Sequence, residues 1–313
     1  MNAQIQRWQL LLRALLALAT LIGCWRSGAP VLGWVLAAAV FWLYGLGMLM
    51  IFAWLPRINT GQPPPDTRQL LRAWWHELIA CERVFGWQQP FAAQRHADFL
   101  PSRSGVDSAQ RGVLLLHGFA CNRGVWNSWM GPLRAHGHPH IALTLEPAYG
   151  SIDAYAAQIE AAVQTLERLC GQPPVIVAHS MGGLAARAWW RCHGRAGRIH
   201  RFFTLGTPHA GTLMARFGVA VNARQMRHQS RWLAELAAHE SAADQARQTP
   251  LAQDLAARFV CYFSRCDQVV CPAATAVLAG SHAIEVVGSG HLALVFQPRI
   301  LADLLRLLKQ KPA

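Results

Sequence analysis

The chain has 313 residues, of which 53% are hydrophobic and only 14% are charged. This composition argues against a disordered chain and suits one large globular domain joined to an apolar segment. The formal net charge of +13 comes almost entirely from arginine. No basic stripe interleaved with aromatic residues and no nucleic-acid-binding motif accompanies that charge, so we expect no nucleic acid partner.

The eight cysteines are irregularly spaced and include no C-x-x-C pair. This spacing argues against a zinc site, and the sequence predicts neither a metal nor a cofactor. Cys261, Cys266 and Cys271 lie close together in the sequence. They could hold one disulfide outside the cytoplasm, whereas free thiols are expected inside it.

Residues 1–55 contain two apolar stretches that a short turn, "RSGAP", separates. The stretch from Trp8 to Trp25 is interrupted only by Arg13, and residues 31–55 carry no charge. Stretches of this length predict an N-terminal transmembrane helical hairpin. The alternative is a cleaved signal peptide, in which Cys24 of "LIGC" would be a lipid acceptor. However, no A-x-A-like site follows, and the second apolar stretch comes at once.

Basic residues flank the hairpin unevenly. Arg7 and Arg13 lie towards the N-terminus of the first span, whereas the turn carries only Arg26. Three more follow the second span: Arg57, Arg68 and Arg72. Because basic residues concentrate on the cytoplasmic side, we expect an inner-membrane protein whose domain after residue 55 faces the cytoplasm. If only the second segment spans the membrane, that domain would lie in the periplasm.

Residues 56–110 predict a linker that contains Pro and Gly, followed by an amphipathic helix. Asp66 or Thr67 could cap this helix. Its apolar positions recur at helical spacing: Leu70, Leu71, Trp74, Trp75, Leu78 and Ile79. Four charged residues lie between them: Arg68, Arg72, Glu77 and Glu82. Such a helix packs on the neighbouring domain or lies on the membrane surface.

From residue 111 onward, short apolar segments alternate with helical segments. The predicted strands lie within residues 112–119, 141–146, 174–180, 201–209, 258–267 and 282–291. The predicted helices cover residues 123–135, 152–169, 184–192 and 298–308. This alternation predicts an α/β fold, a mostly parallel sheet with helices on both faces. In such sheets, functional sites lie at the carboxyl ends of the strands.

The segment "VIVAHSMGGLAARAWW", residues 175–190, predicts a sharp turn from a buried strand into a helix. Ser180 has Ala178 two residues before it and Gly182 two residues after it. This is the nucleophile-elbow pattern G-x-S-x-G with Ala in the first Gly position, and it makes Ser180 the candidate nucleophile. The alternative is a serine that only caps an ordinary helix.

Two further residues at strand ends complete a catalytic pattern. Asp267 follows the fifth predicted strand and His291 ends the last. A serine needs an imidazole base, and the imidazole needs a carboxylate that orients it and stabilises its cation. The competing histidines are less well placed, because His282 begins a strand and strand alternation should point His179 away from Ser180.

Backbone N–H groups must also stabilise the oxyanion of an acyl-transfer reaction. We assign this role to Met181, which follows the nucleophile, and to Phe119, in the loop after the first strand. His117 and Gly118 could instead form a simple turn at the end of that strand. The residues assigned to substrate binding are His117, Gly118 and His179, together with Met214 and Phe217.

Residues 212–257 show no strand pattern and are expected to form a helical cap or lid. They follow the fourth strand, so the cap should lie at the carboxyl edge of the sheet, where Met214 and Phe217 could line an acyl pocket. For any one of these side chains, ordinary packing on the core is at least as good an explanation.

Five motifs together resemble bacterial triacylglycerol lipases and esterases of the α/β-hydrolase superfamily: "LLLHGFACNRGVW", "AHSMGG", "LGTPHAGT", "SRCDQVVCP" and "GSGHLAL". The resemblance covers residues 111–313 and implies an α/β-hydrolase fold. It implies that Ser180 is the nucleophile, Asp267 the acid and His291 the base. His209, in the "GTPHAGT" motif, is interpreted as structural.

The predicted function is therefore membrane-anchored hydrolysis of carboxylic esters in lipid-like substrates, through an acyl-enzyme. The membrane contact is the N-terminal hairpin. An acyltransferase or thioesterase would use the same triad with another acceptor or substrate. A non-enzymatic assembly factor is a further alternative, against which the intact triad argues.

Overall fold

The computed structural model describes residues 2–59, 63–102, 105, 110–195, 197–246 and 255–310, with side chains omitted for residues 241–246. Its centre is one six-stranded parallel sheet in the order β2-β1-β3-β4-β5-β6. The strands are β1 (Val113–Leu116), β2 (His140–Ala142), β3 (Val175–His179), β4 (Arg201–Leu205), β5 (Phe259–Phe263) and β6 (His282–Glu285).

Ten α-helices are described around this sheet and before it. They are α1 (Asn2–Arg26), α2 (Pro30–Ile58), α3 (Thr67–Cys81), α4 (Gln89–Phe91), α5 (Asn127–Ala135), α6 (Ala156–Cys170), α7 (Met181–His193), α8 (Val221–Gln225), α9 (Arg231–Ala246) and α10 (Pro298–Leu308). A π-helical turn, Glu82–Gln88, joins α3 to α4. Part of the predicted cap, residues 247–254, lies outside the described residues.

Alternating side chains of the central strand divide the core into two layers. Ile176 and Ala178 pack with α6 and α7 on one face of the sheet. Val175 and Val177 pack with α5 and α10 on the other face. A strand that is buried on both faces must be apolar throughout, which explains the continuous run that marked β3 in the sequence.

All six strands are shorter than the segments predicted for them, and β2 and β6 show how the chain leaves the sheet. The apolar run 141–146 leaves the sheet after Ala142, and the backbone N–H of Leu145 donates to the ring of His117 instead, at 2.9 Å. The segment 282–291 is a strand only to Glu285. The loop that follows β6 carries His291.

Helices α1 and α2 pack against each other and are both long and apolar enough to cross a membrane. The second helix continues through Pro56 and Arg57 to Ile58, beyond the predicted end at residue 55. Trp8 and Trp25 of α1 are 70% and 72% exposed, so neither ring packs on the rest of the protein.

Helix α3 departs from the predicted amphipathic pattern. Asp66 caps it by accepting a hydrogen bond from the backbone N–H of Gln69 at 2.8 Å, as expected. However, the apolar residues Trp75 and Ile79 are exposed, whereas Glu77 is buried with 2% exposure. The reason is that α3 packs on the α/β domain through the face that carries Glu77.

A buried ion pair attaches α9, in the cap, to α7. The guanidinium of Arg187 donates to both carboxylate oxygens of Glu240, at 2.9 and 2.7 Å, and to the backbone carbonyl of His209 at 2.8 Å. The two side chains are 3% and 12% exposed. Removing one partner of such a pair leaves an uncompensated charge in the interior.

We therefore expect Glu240→Ala to destabilise the protein by about 3–5 kcal/mol, because Arg187 stays buried without its counter-charge. This loss should lower the melting temperature by about 6 °C or more, measured by thermal unfolding in detergent. Glu235→Ala is the matched control, since Glu235 pairs on the same helix with the exposed Arg231. Equal melting temperatures for the two variants would contradict a structural role of the buried pair.

Candidate active site

Ser180 lies at a sharp turn between β3 and α7. Its φ of 54° is in the left-handed region, which is strained for a residue with a side chain. The turn is fixed because the N–H of Ser180 donates to the carbonyl of Leu205 at 2.9 Å, and the hydroxyl of Thr207 donates to the carbonyl of Ser180 at 2.9 Å. The strain is concentrated at the residue that the sequence marks as the nucleophile.

Close backbone approach explains two glycines around this turn. A Cβ at Gly182 would lie 2.6 Å from the carbonyl oxygen of Leu116. A Cβ at Gly118 would lie 2.9 Å from Cβ of Ser180. Only glycine at these positions lets the start of α7 and the loop after β1 meet beside the serine hydroxyl.

Asp267 and His291 form a direct pair. Nδ1 of His291 lies 2.8 Å from Oδ2 of Asp267. The other oxygen of Asp267 accepts the backbone N–H groups of Val269 and Val270, at 2.8 and 2.7 Å. These contacts fix the carboxylate, which in turn orients the imidazole and leaves its Nε2 for another partner.

The carboxyl ends of β3, β4, β5 and β6 bring these residues together. A Cβ at Gly206, the residue after β4, would lie 2.9 Å from Oδ2 of Asp267 and 3.1 Å from Nδ1 of His291. The ring of His179 lies 4.6 Å, centroid to centroid, from that of His291. Ser180, Asp267 and His291 therefore occupy one small region of the sheet edge.

His179 lies closer to this region than strand alternation predicted. Its Nε2 is 3.2 Å from the carbonyl oxygen of His291, and the side chain is buried. The strained backbone at Ser180 ends the strand geometry on which the prediction rested. Burial holds the pKa of His179 well below its usual range, and the nearby His291 adds to this. Its contacts are those of a neutral ring packed against His291.

The two residues expected to donate to an oxyanion lie on either side of the site, Phe119 in the loop after β1 and Met181 after Ser180. Phe119 packs edge-on against Tyr149, with ring centroids 5.6 Å apart, and Met181 is the first residue of α7. His117 has a partner at each ring nitrogen: Nδ1 contacts the carbonyl of Gly118 at 2.8 Å and Nε2 accepts the N–H of Leu145. Burial lowers the pKa of His117 to about 4. A neutral ring with both nitrogens occupied supports the loop rather than binding substrate.

Met214 and Phe217 lie in one 3-10 turn, Leu213–Phe217, but have different surroundings. Met214 packs against the end of α2, in a cluster with Phe52 and Cys271. Phe217 is 68% exposed and stacks under Arg216, so the structure gives it no place in a closed acyl pocket. His209 is buried, with Nε2 3.2 Å from the hydroxyl oxygen of Thr204.

Two carboxylates act on His291. Burial alone would lower the pKa of this imidazole, but the charge and hydrogen bond of Asp267, together with the charge of Glu77, raise it above its usual value. The sequence pattern did not single out Glu77, which comes from α3. The one available signal was its spacing from Ala73 and Ala80, small residues on the same helical face.

Among the described residues, no group of three or more His, Cys, Asp and Glu side chains is arranged to hold a metal ion. All eight cysteines are free thiols. The disulfide considered for Cys261, Cys266 and Cys271 is absent. The groups that the structure brings to this sheet edge are the hydroxyl of Ser180, the imidazole of His291 and the carboxylate of Asp267.

Comparison with known proteins agrees with this fold. The fold resembles the mature form of the Bacillus licheniformis lipase BlEst2, with a TM-score of 0.51 and 17% identity over 66% of this chain and 95% of that one. It also resembles Aspergillus fumigatus lipase B, with a TM-score of 0.54 and 15% identity over 71% of this chain and 58% of that one. Identities this low show the fold alone.

Among curated proteins, no sequence matches this chain. A model of the alpha/beta hydrolase family matches residues 113–304, more than half of the chain. That range contains the turn at Ser180 and both members of the Asp267–His291 pair, whereas α1, α2 and α3 precede it. The chain belongs to the alpha/beta hydrolase family.

Proposed function

We propose that this protein is a membrane-anchored serine hydrolase that cleaves carboxylic esters of lipid-like substrates. The observation that carries the proposal is the Asp267–His291 pair, 2.8 Å apart, at the strand ends next to the strained turn of Ser180. In this proposal Ser180 is the nucleophile, His291 the base and Asp267 the acid.

The chemistry follows from the contacts of His291. Nδ1 is held by Asp267, so Nε2 is the nitrogen that accepts the proton of Ser180 as its oxygen attacks the ester carbonyl. The imidazolium then gives that proton to the leaving alcohol, and an acyl-enzyme remains. Water deprotonated by the same imidazole releases the acid. The backbone N–H groups of Phe119 and Met181 stabilise the oxyanion in both steps.

Ser180→Ala should abolish ester hydrolysis and covalent labelling by a fluorophosphonate probe. The expected loss is about 10⁴-fold or more, because members of such a triad act as a unit. Ser281→Ala, in the bend before β6, is the matched control and should react like the unmodified protein. Labelling or turnover that survives in the Ser180→Ala protein would show that the nucleophile is a different residue.

The hairpin supports a lipid-like substrate, since both of its ends dock beside the proposed site. The side-chain amide of Asn2 donates to the carbonyl of Cys121 at 2.7 Å, next to the oxyanion loop. That of Asn59 donates to the carbonyl of Arg265 at 2.8 Å, next to Asp267. Two helices that return the chain to the same face keep the proposed site close to the membrane surface.

A cavity of about 350 Å³ lies between the hairpin and the oxyanion loop. Six of its lining residues show its mixed character: Gln6, Arg13, Tyr44, Met48, Phe85 and Tyr149. The segment from Trp8 to Trp25 spans about 26 Å, close to the thickness of the hydrocarbon core. The part of α1 that lines the cavity runs only from Asn2 to Arg13, so the cavity lies at the end of the hairpin that meets the domain, where a lipid chain can enter from the bilayer. We propose this cavity, rather than the cap residues Met214 and Phe217, as the acyl site.

The cavity predicts a preference for longer chains. Activity on p-nitrophenyl esters should rise from acetate to octanoate, because each buried methylene contributes about 0.8 kcal/mol of transfer free energy. Met48→Trp should fill the cavity and remove this gain while leaving acetate hydrolysis unchanged. Met50→Trp is the matched control, since Met50 is 75% exposed on the outer face of α2.

Two results would count against this acyl site. Activity of the unmodified protein that falls steadily from acetate to octanoate would leave only an esterase for small esters. A Met48→Trp protein with the same chain-length profile as Met50→Trp would place the acyl chain elsewhere.

We also propose that the protein resides in the inner membrane with its catalytic domain in the cytoplasm. Arg7 and Arg57 flank the hairpin on the side of the catalytic domain, whereas the turn carries only Arg26. The free thiols fit a reducing compartment.

Fusions after Ala313 test this orientation. Green fluorescent protein at this position should fluoresce and alkaline phosphatase should be inactive, because only the first matures in the cytoplasm and only the second requires the periplasm. A phosphatase-active, non-fluorescent pair would put the catalytic domain outside and contradict the proposed topology.

A further inference from the structure

Glu77 is a buried carboxylate that joins the two loops of the proposed catalytic pair. Its Oε1 accepts the side-chain amide of Gln268 at 2.7 Å and the backbone N–H of Leu292 at 2.9 Å. Its Oε2 accepts the backbone N–H of Ala293 at 2.9 Å. Gln268 follows Asp267, and Leu292 and Ala293 follow His291. One side chain therefore binds the residues next to both members of the pair.

The contacts are those of an ionised carboxylate. All three partners are donors, so the charged form satisfies each of them, whereas a protonated Glu77 would turn one oxygen into a donor. Charge-assisted hydrogen bonds of this kind are about twice as strong as neutral ones. Burial raises the pKa of Glu77, whereas the charge of His291 and these three hydrogen bonds act in the opposite direction and favour the charged form.

The loops are shaped around this carboxylate. A Cβ at Gly290 would lie 2.6 Å from Oε2 of Glu77, so only glycine fits beside it. The side-chain oxygen of Gln268 also contacts the catalytic loop: its Oε1 accepts the backbone N–H of His291 at 3.1 Å. The position of the imidazole is therefore fixed from its own backbone as well as through Asp267.

Glu77 comes from outside the part of the chain that the family model matches, and it is tied to the hairpin. On the same helix, the ring N–H of Trp74 donates to the backbone carbonyl of Gly45, in α2, at 2.8 Å. A Cβ at Gly45 would lie 2.9 Å from the Leu78 side chain. The second apolar helix thus holds α3, and α3 holds the loop of His291.

We propose that Glu77 is a positioning residue for the reaction: it locks the loops that carry Asp267 and His291, and its charge stabilises the imidazolium that forms when His291 takes the proton of Ser180. This inference rests on the proposed function. It adds to the triad a second carboxylate, supplied by the membrane-proximal helix.

The test uses the full chain in detergent and p-nitrophenyl butyrate as the substrate. Glu77→Gln removes the charge and turns one acceptor into a donor that faces the N–H of Ala293. We expect kcat/KM to fall about 10- to 100-fold through kcat, because a small misplacement of a catalytic base is enough for such a loss.

The pH profile separates positioning from a purely structural role. His291 must be neutral to act as a base, so activity rises with pH through its pKa, which Asp267 and Glu77 raise. Loss of the Glu77 charge should move this rising limb to lower pH by about 0.5–1 unit. The control is Glu167→Gln, the same change in a carboxylate of α6 that pairs with Arg198. It should change neither kcat/KM nor the pH of the rising limb.

A second readout does not depend on turnover. The titration of the His291 ring can be followed by NMR in histidine-labelled protein, with the signal assigned by its loss in His291→Ala. A midpoint that is lower in Glu77→Gln than in the unmodified protein supports the inference even if the unmodified protein hydrolyses no ester, which would defeat only the proposed function. An unchanged midpoint overturns the inference, even if activity falls.

If Glu77→Gln does not fold, Glu77→Asp can be measured instead. It keeps the charge but shortens the side chain by one methylene, which moves the carboxylate away from its three hydrogen-bond donors. We expect it to lower kcat/KM with a shift of the rising limb smaller than about 0.5 unit. A Glu77→Asp protein that equals the unmodified protein in kcat/KM would show that the contacts to Gln268, Leu292 and Ala293 do not position His291.

Discussion

The candidate site depends on how closely the carboxyl ends of four neighbouring strands approach one another. At Gly118, Gly182 and Gly206 a single added carbon would come within 3 Å of the backbone or of the reacting groups. The missing side chains let the loop after β1, the start of α7 and the end of β4 close around Ser180. The strain at its φ of 54° persists because these surroundings leave the turn no other conformation.

This constraint also explains what the sequence could predict. A strand buried on both faces, a serine between small residues, and Asp267 and His291 after later strands are local signals, each set by one stretch of chain. The geometry that joins them follows from the parallel sheet, since all its carboxyl ends lie at one edge. The fold class and the Asp267–His291 contact could therefore be anticipated without any knowledge of packing.

The features that the sequence did not predict depend on contacts between distant segments. The apolar run after Ala142 had every mark of a strand, but the ring of His117 takes the N–H of Leu145. Glu77 had the charge of a solvent-facing residue, and only the docking of α3 buries it. Phe217 was apolar and near the site in sequence, yet it is exposed. In each case the outcome is decided by a partner that local periodicity does not show.

The hairpin is packed directly against the rest of the protein. An anchor that only tethered the enzyme could be joined to it by a free linker, and the two would then be energetically independent. Here Asn2 and Asn59 dock on the loops beside the site, and α2 holds α3 through Trp74. Glu77 extends this chain of contacts to His291. The apolar hairpin and the hydrolase fold therefore form one packed unit, in which hydrogen bonds connect α2 through α3 to the loop of His291.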